Sequence, residues 1–372
     1  MKIAIIGAGA AGLMCACKIG VEHSVIVFDK NDVSGKKLMI TGRGRCNVTN
    51  LVGVDEFLKS VPRNADFLRK SLEKFTPEDA VRFFERLGVE MHVENGNRVF
   101  PVQGGAKTIR KALEEYVISR GVELRFGSAV TDISKVDNKF LVIVNSKSLE
   151  FDKVIIATGG VSYQVTGSSG DGYFFARKFG HRVIEVRPSL CGLRFEEQTG
   201  IQGTSLTCGV RILDEQMKSL TSLEIGAMVF TKNGVSGPVI HKVVSLFKQD
   251  KISGYYICID FVPNIDEPVF DLKDKPFYAF RKYLPTKVAD WLAKRGELPS
   301  LIKRVVVPIK DFEDIESATV TRGGVCVSEV DSRSMESKLV LGLFFIGEVL
   351  DVDGFSGGFN LQIAFSTGVA GA

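Results

Sequence analysis

The amino-acid sequence predicts an α/β fold in which a β-rich segment interrupts a domain with parallel strands. A short β-branched run, Lys2–Ile6, leads into a glycine-rich turn and an apolar helical stretch, as in a strand–turn–helix unit. From about Arg187 to Phe261, short alternating strands with Gly and Thr turns are typical of an antiparallel sheet or barrel. Beyond Val320 the pattern of buried strand followed by helix returns.

The composition is that of a globular protein. The chain has 372 residues, 45% apolar and 25% charged, which excludes a disordered, collagen-like or disulfide-stapled protein and suggests two or three domains. Lys and Arg number 48 against 44 Asp and Glu, and the resulting +4 neither requires nor excludes nucleic acid. Glycine, 38 of 372 residues, exceeds its usual ~7% and indicates backbone that approaches a ligand.

Cysteine usage and hydropathy suggest the compartment. Seven cysteines without a C-x-x-C pair, together with four histidines, favour reduced thiols and no metal site. The apolar stretch Ile3–Gly20 resembles a leader peptide, but three glycines and Lys18 interrupt it. No other stretch reaches 18 uncharged apolar residues. We expect a cytoplasmic protein without a cleaved leader or a membrane partner.

The first thirty residues carry a dinucleotide-binding pattern. Gly7, Gly9 and Gly12 form G-x-G-x-x-G between the first strand and a helix predicted over Leu13–Val21. A second strand follows and ends at Asp29, seventeen residues after Gly12. The glycines permit a tight turn, close approach of a pyrophosphate and close helix packing, and the acid accepts hydrogen bonds from a ribose diol. This context is typical of a Rossmann unit, and the acid disfavours a ribose 2′-phosphate.

Residues 34–50 help to distinguish FAD from NAD. They are glycine-rich and basic and end in small polar side chains. A second basic loop after the ribose acid suits a longer ligand with more polar groups, although a solvated basic turn has the same composition.

Later glycine-rich segments follow strands. A strand over Phe151–Ala157 closes on Ala-Thr-Gly-Gly, and a strand over Leu339–Ile346 closes on Gly347-Glu348. Gly357-Gly358 precede a helix from about Phe359, whose first amides favour negative charge. The segment Gly-Ser-Ser-Gly-Asp-Gly at 167–172 opens a helix, but it lacks the strand and acid of a second dinucleotide site. Two further segments, 124–126 and 140–144, are predicted as strands of a small separate sheet.

These motifs together resemble the BaiN/YhiN-like Rossmann-fold flavoproteins, whose members include aminoacetone oxidases. The matching blocks span nearly the whole chain and include IAIIGAGAAGL, GKKLMITGRGRCNVTN, TGSSGDGY and GEVLDVDGFSGGFNLQIAFSTG. The resemblance implies FAD as cofactor and an FAD-binding domain split by a β-rich, barrel-like insertion that carries a helical subdomain. The expected boundaries are 1–186 and 323–372 for the FAD-binding domain, 187–262 with 304–322 for the β-rich domain, and 263–303 for the helical subdomain.

The resemblance and the glycine motifs together give the set of predicted cofactor-binding residues. They are Gly7, Gly9, Ala10, Ala11, Gly12, Asp29, Lys30, Lys36, Lys37, Gly42, Arg45, Cys46, Asn47, Val130, Ala157, Thr158, Gly159, Gly160, Tyr163, Gly347, Glu348, Gly358, Phe359, Asn360 and Leu361.

Three side chains could carry chemistry beyond cofactor binding. Cys46 is a candidate redox thiol, although a packing role is favoured because no partner Cys lies at C-x-x-C spacing. Tyr163 is a candidate proton donor, with a plain cofactor contact favoured. His241 follows Gly237-Pro238 at an apolar helix start, where a structural histidine is favoured over a base. The sequence identifies no catalytic residue.

The leading functional hypothesis is an FAD-dependent oxidoreductase that transfers hydride between a small organic substrate and the flavin. Oxygen or another acceptor reoxidises the flavin, or NAD(P)H visits transiently as reductant; the sequence leaves both open. An RNA-modifying or RNA-binding flavoprotein and a low-turnover sensor are the alternatives. We expect a small-molecule substrate rather than nucleic acid.

Overall fold

The computed structural model describes residues 1–249, 251–271 and 274–372. Residue 250 of the predicted β-rich domain and residues 272–273 of the predicted helical subdomain lie outside the described residues. The chain forms two compact units, residues 1–187 with 320–372 and residues 188–319. Among the described residues, no helix has the length and apolar character needed to cross a membrane.

The described strands, in chain order, are β1 Lys2–Ile6, β2 Ser24–Phe28, β3 Thr49–Asn50, β4 Met91–Glu94, β5 Arg98–Pro101, β6 Glu123–Arg125, β7 Val130–Val136, β8 Lys139–Val144, β9 Lys147–Phe151, β10 Lys153–Ile156, β11 Val183–Ser189, β12 Leu193–Phe195, β13 Ser205–Leu213, β14 Glu224–Thr231, β15 Gly234–Ser236, β16 Tyr256–Asp260, β17 Val305–Phe312, β18 Val320–Val325 and β19 Leu343–Phe345. The described helices are α1 Ala10–Lys18, α2 Lys36–Ile40, α3 Val54–Leu58, α4 Ala65–Lys74, α5 Pro77–Arg86, α6 Gly105–Ser119, α7 Asp171–Lys178, α8 Pro238–Leu246, α9 Pro276–Arg281, α10 Thr286–Lys294 and α11 Phe359–Ala370.

The first unit is built on a five-stranded parallel sheet in the order β19-β10-β1-β2-β6. The central strand β1 is buried over Ile3–Ile6 because helices cover both faces of such a sheet. Since β1 lies between β2 and β10, the strand order reverses there, and ligands of parallel α/β sheets bind beyond the carboxyl ends at such a point. Smaller sheets, β3-β5-β4, β7-β8-β9 and β11-β18, accompany it. The predicted Rossmann architecture is confirmed.

Three details of the sequence prediction are wrong in this unit. The first helix is Ala10–Lys18, not Leu13–Val21, because Gly9 acts as N-cap and the small residues after it form the first turn. Leu124–Phe126 was expected in a small separate sheet, but β6 pairs with β2 at the edge of the main sheet. The strand expected over Leu339–Ile346 is shortened to β19, because Leu339 and Leu341 are 52% and 76% exposed.

The second unit contains the predicted barrel. Its strands close in the order β12-β15-β14-β13-β16-β17, and the pairs are antiparallel. Helix α10 covers part of the barrel, where the rings of Phe230 and Trp291 meet edge to face at 5.3 Å. Both α9 and α10 lie within the segment expected to be helical.

Candidate functional site

The turn after β1 has the backbone that the G-x-G-x-x-G spacing predicts. A Cβ on Gly12 would lie 2.0 Å from the carbonyl oxygen of Gly7, so only glycine lets the helix approach the turn. A Cβ on Gly9 would meet nothing within 4 Å. The backbone is therefore open on the side where a ligand would approach. Helix α1 has no side-chain cap, and its first amides are free to bind phosphate oxygens.

Asp29, directly after β2, is held by two backbone amides, one in the turn after β1 and one in its own loop. Its Oδ2 accepts from the backbone amide of Ala8 at 2.8 Å, and its Oδ1 accepts from the amide of Asn31 at 2.8 Å. A carboxylate has about four lone-pair positions, so acceptor capacity remains for a ribose diol. Val130 is buried in β7, two residues after Ser128, whose amide donates to the Asp29 carbonyl.

The lysines that follow Asp29 have partners in the protein. Lys30 Nζ lies 2.6 Å from the carboxylate of Asp171, at the start of α7. Lys36 pairs with exposed Asp32 at 2.8 Å. The charges of these predicted cofactor residues are thus neutralised locally.

Lys37 and Glu348 belong to a polar cluster that we call the Lys37–Glu348 cluster, with Ser162 and Thr321 as its other members. Lys37 Nζ donates to both carboxylate oxygens of Glu348, at 2.9 and 2.8 Å, and to Ser162 Oγ at 2.7 Å. Thr321 donates its amide to Glu348 at 2.9 Å. Its hydroxyl accepts from the amides of Val161 and Ser162, at 2.9 and 3.1 Å.

This cluster fixes the strand end that follows β10. A Cβ on Gly160 would lie 2.3 Å from Thr321 Oγ1, so the Ala157–Gly160 segment passes directly over the cluster. Ser162 and Thr321 were not predicted from the sequence, because nothing in their spacing marks them. Both are almost fully buried.

The predicted cofactor residues in the loop after α2 differ in their exposure to solvent. Gly42 and Arg45 are exposed, Cys46 is fully buried, and Asn47 lies half-buried beside the N-terminus of α11. Burial raises the pKa of the Cys46 thiol to about 12, which keeps it protonated. This favours the packing role over a redox thiolate.

The start of α11, like the start of α1, has a glycine at its N-terminus and no side-chain cap. We call each of these two helix starts a backbone cradle. Gly358 has φ +99°, and a Cβ there would lie 2.4 Å from the backbone of Thr49 and 2.9 Å from Asn47 Oδ1. The Asn360 side chain braces the preceding loop by accepting from the amide of Gly354 at 2.9 Å and donating to its carbonyl at 2.7 Å. The helix has no side-chain cap, and its first amides point out of its start. The side chain of Phe359 packs inward on Phe57.

Helix α11 connects the two cradles. A Cβ on Gly368 would lie 2.7 Å from the carbonyl oxygen of Ala11 in α1. Ten residues of helix, about 15 Å, separate Gly368 from Gly358. The two helix starts are therefore spaced for an elongated ligand, and Gly347, whose Cβ would lie 2.7 Å from that of Ala11, sits next to the first.

Two predicted residues keep unused polar groups. Asn47 Oδ1 and Thr158 Oγ1 are buried without a hydrogen-bond partner among the described residues. A buried acceptor without a donor is costly, and the N–H of a flavin ring is such a donor. Together with the open backbone at Gly9 and the second cradle at Gly358, the unpaired acceptor Asn47 Oδ1 fits FAD.

Tyr163 has φ +52° and is half-buried in a tight turn.

His241 lies in the other unit. Its Nε2 is 3.1 Å from Ser236 Oγ, and burial lowers its pKa to about 4. A group that stays neutral and hydrogen-bonded inside the barrel unit fits the structural role favoured from the sequence.

Known proteins are similar to this chain over nearly its whole length. A family model described as HI0933-like protein Rossmann domain matches residues 1–372. Ribosomal RNA dihydrouridine synthases are similar over 98% of the chain: that of Escherichia coli is 29% identical, with 95% of its length covered, and that of Haemophilus influenzae 31%, with 96% covered. A 3-dehydro-bile acid Δ(4,6)-reductase of Clostridium scindens is 26% identical over 99% of this chain and 97% of its own.

Solved structures share the fold. A flavocytochrome c3 fumarate reductase superposes with a TM-score of 0.55 at 16% identity, over 99% of this chain and 77% of the other. The 3-ketosteroid Δ1-dehydrogenase of Sterolibacterium denitrificans gives 0.54 at 13% identity, over 99% and 98%.

Proposed function

The chain belongs to the HI0933-like Rossmann-domain family and is an FAD-dependent oxidoreductase, and from this premise we propose that it reduces a carbon–carbon double bond conjugated to a carbonyl group. One observation carries the proposal: the three relatives described above align nearly end to end, are of two kinds, and have names that describe the same chemistry. Dihydrouridine is uridine with hydrogen added across a ring double bond next to a carbonyl. A Δ(4,6)-reductase of a 3-dehydro steroid saturates double bonds conjugated to the 3-oxo group.

When bound, FAD in its reduced form would supply a hydride for the distal carbon of such a double bond, and a proton would complete the neighbouring carbon. In this proposal the first amides of α1 and the open backbone at Gly9 hold the pyrophosphate, and Asp29 holds the adenosine ribose. The first amides of α11 would hold the flavin ring and would stabilise negative charge on it. The Lys37–Glu348 cluster would keep the Ala157–Gly160 segment rigid for cofactor binding.

NAD(P)H is proposed as the transient reductant. The sequence contains a single G-x-G-x-x-G fingerprint, which FAD would occupy in this proposal. NAD(P)H would therefore bind without a Rossmann module of its own and leave before substrate enters.

The test uses purified holoprotein under anaerobic conditions. The flavin is reduced with a limiting reductant and mixed in a stopped-flow instrument with cyclohexenone, a 4-en-3-one steroid or uridine. The proposal expects rapid flavin reoxidation by at least one conjugated carbonyl and none by its saturated counterpart. Reduction of the oxidised flavin by amines such as aminoacetone, without reoxidation by any conjugated carbonyl, would make the protein an amine oxidase instead. Absence of both reactions would favour a sensor.

A further inference from the structure

Two aspartates lie on the segment that leads from the Lys37–Glu348 cluster to the start of α11. Asp351 follows Glu348 by three residues, and Asp353 precedes Gly358 by five. Asp353 is buried and Asp351 is half-buried. In the proposed function this segment joins two parts of the cofactor site, so its carboxyl groups are placed to meet a substrate at the flavin ring.

Two consecutive residues before α4 hold these aspartates in different ways. Arg63 Nη2 pairs with the carboxylate of Asp353, whose side chain is 1% exposed. Asn64 Nδ2 donates to Asp351 Oδ2 at 3.0 Å and to the Asp351 carbonyl oxygen at 2.6 Å. The cation is therefore paired with Asp353 and the neutral amide with Asp351. An ion pair requires a carboxylate, whereas a carboxyl group held by a neutral amide can also carry a proton.

The carboxyl group of Asp351 keeps one oxygen free. It makes no ion pair with any described residue, and Oδ1 has no hydrogen-bond partner among them. Burial raises the pKa of Asp351, and the charge of Asp353 adds to the shift. The Asn64 hydrogen bond and the guanidinium groups of Arg63 and Arg322 oppose the shift without cancelling it. A carboxyl group that keeps its proton to a higher pH than usual, with one oxygen free, is suited to donate that proton.

One more titratable side chain lies within electrostatic range of Asp351. Tyr173 on α7 is buried, and its hydroxyl has no hydrogen-bond partner among the described residues. Burial raises the pKa of Tyr173, and the charges of Glu348 and Asp351 add to the effect. The phenol therefore stays neutral and brings no charge to Asp351.

The other candidate proton donors near the predicted cofactor site are bound or enclosed. Lys37 donates to both oxygens of Glu348 and to Ser162, and Cys46 is fully buried. Tyr163, the candidate from the sequence, is half-buried and is the competitor that the experiment includes.

We propose that Asp351 is the catalytic acid that delivers the proton to the conjugated double bond. The inference rests on the proposed function and names a residue for its second step. A hydride with its two electrons adds to the distal carbon, and the π electrons of the double bond move to form an enolate. The Oδ1–H bond of Asp351 then breaks as a C–H bond forms at the carbon next to the carbonyl group. The carboxylate takes a new proton from water, and NAD(P)H supplies the two electrons of each turnover.

The experiment separates the proton from the hydride. Reduced holoprotein is mixed anaerobically with cyclohexenone, which needs a proton to complete its reduction, or with nitrocyclohexene, whose reduction stops at a stable nitronate anion. Stopped-flow absorbance follows flavin reoxidation in wild type, Asp351→Asn, Asp351→Glu and Tyr163→Phe. The matched control is Asp55→Asn, because Asp55 on α3 is 85% exposed and pairs with Arg69. FAD content and urea unfolding are measured for every variant.

We expect Asp351→Asn to slow reoxidation by cyclohexenone at least about a hundredfold and to leave reoxidation by nitrocyclohexene close to wild type. The acid must be protonated to act, so the wild-type rate with cyclohexenone should fall as the pH rises through the raised pKa of Asp351. That dependence should be absent from Asp351→Asn. Asp351→Glu restores a carboxyl group and should recover part of the rate, and Asp55→Asn should match wild type with both compounds.

A second measurement does not depend on turnover. The infrared spectrum of the holoprotein should contain the C=O band of a protonated carboxyl group that Asp351→Asn lacks. This band should persist above the ordinary titration range of an aspartate and disappear at higher pH.

Several outcomes would overturn the inference. Equal losses with both compounds in Asp351→Asn would give Asp351 a structural role, and an unchanged cyclohexenone rate would exclude it as the acid. A selective loss in Tyr163→Phe alone would assign the proton to Tyr163. If Asp351→Asn does not retain FAD, a wild type without the infrared band and without the pH dependence would overturn the inference. Wild type that reduces neither compound would refute the proposed function, and the assignment of Asp351 with it.

Discussion

Lys37 and Glu348 are 311 positions apart in the chain, and the lysine ammonium contacts both carboxylate oxygens at 2.8 and 2.9 Å. The pair joins α2, the helix after the Asp29 loop, to the turn after β19. Ser162 and Thr321 complete its hydrogen bonds. The segments predicted to bind the cofactor are therefore connected to one another through side chains and not only through the sheet.

Removing one member of this pair should destabilise the protein. The two side chains are 23% and 21% exposed, so Lys37→Met and Glu348→Gln should each lower the free energy of unfolding by about 2 kcal/mol, less than for a fully buried pair. The double variant should cost less than the sum of the two. Urea unfolding of the holoprotein at fixed FAD concentration measures all three. Lys36→Met, beside the exposed Asp32, is the control and should change stability little; additive losses in the double variant would contradict the pairing.

The cluster also shows what the sequence could predict. The chemistry of Gly7–Gly12 is local: a strand, a glycine pattern and an acid at fixed spacing predict the turn, and the structure confirms its backbone. The contact of Lys37 with Glu348 depends on how β19, which precedes Glu348, aligns with β10. No spacing rule in the sequence encodes that alignment. Both residues were predicted, but as separate cofactor contacts, whereas Ser162 and Thr321 were missed.

The errors in the predicted fold also concern how segments far apart in the chain pair with each other. Hydropathy placed Leu339 in a buried strand, but the chain leaves it exposed and begins pairing only at Leu343. The pattern of Leu124 predicts a strand, but a single sequence does not tell which sheet that strand joins. The division near 187 and 320 follows a change from parallel-strand to antiparallel-strand patterning, and that change is visible in the residues.

Asp29 should control how tightly FAD is held. Asp29→Ala removes a charged acceptor for the ribose and leaves the α1 amides intact, so FAD affinity should fall by about 1–3 kcal/mol, roughly 5- to 150-fold. Fluorescence titration of the FAD-depleted protein measures this change. Asp32→Ala is the matched control, because Asp32 is 81% exposed and pairs with Lys36. Equal FAD affinity in wild type and Asp29→Ala would mean that the adenosine end is held elsewhere.

Cys46 should be chemically inert in the folded protein. Its pKa is raised by burial from 9.0 to about 12, and only the thiolate is nucleophilic. A folded-state pKa above the unfolded value stabilises the fold fully below pH 9, and this stabilisation is lost between pH 9 and about 12. Reaction with Ellman's reagent at pH 8 should be slow for native protein and fast in urea. Fast native labelling that Cys46→Ser abolishes would contradict this.

The loss of stability at alkaline pH gives a second readout of the same thiol. Between pH 9 and 10.5 the urea midpoint should fall less steeply in Cys46→Ser than in wild type, since serine does not titrate there. Equal slopes would mean that the other buried thiols, such as Cys17, whose pKa burial also raises to about 12, carry the effect.

The first turn of α11 should set the reduction potential of the flavin. Gly358 itself is unsuitable for the test, because its φ of +99° excludes proline and strains any other residue. Leu361 lies in the first turn, where proline is tolerated. Leu361→Pro removes one amide that stabilises negative charge on the reduced ring, so the potential should fall by about 30 mV, equivalent to ~1.4 kcal/mol for two electrons. Leu361→Ala changes the side chain but keeps the amide, and its potential should match wild type. Spectroelectrochemical titration of holoproteins with equal FAD content measures both; an unshifted potential in Leu361→Pro would mean that this helix start does not serve the flavin.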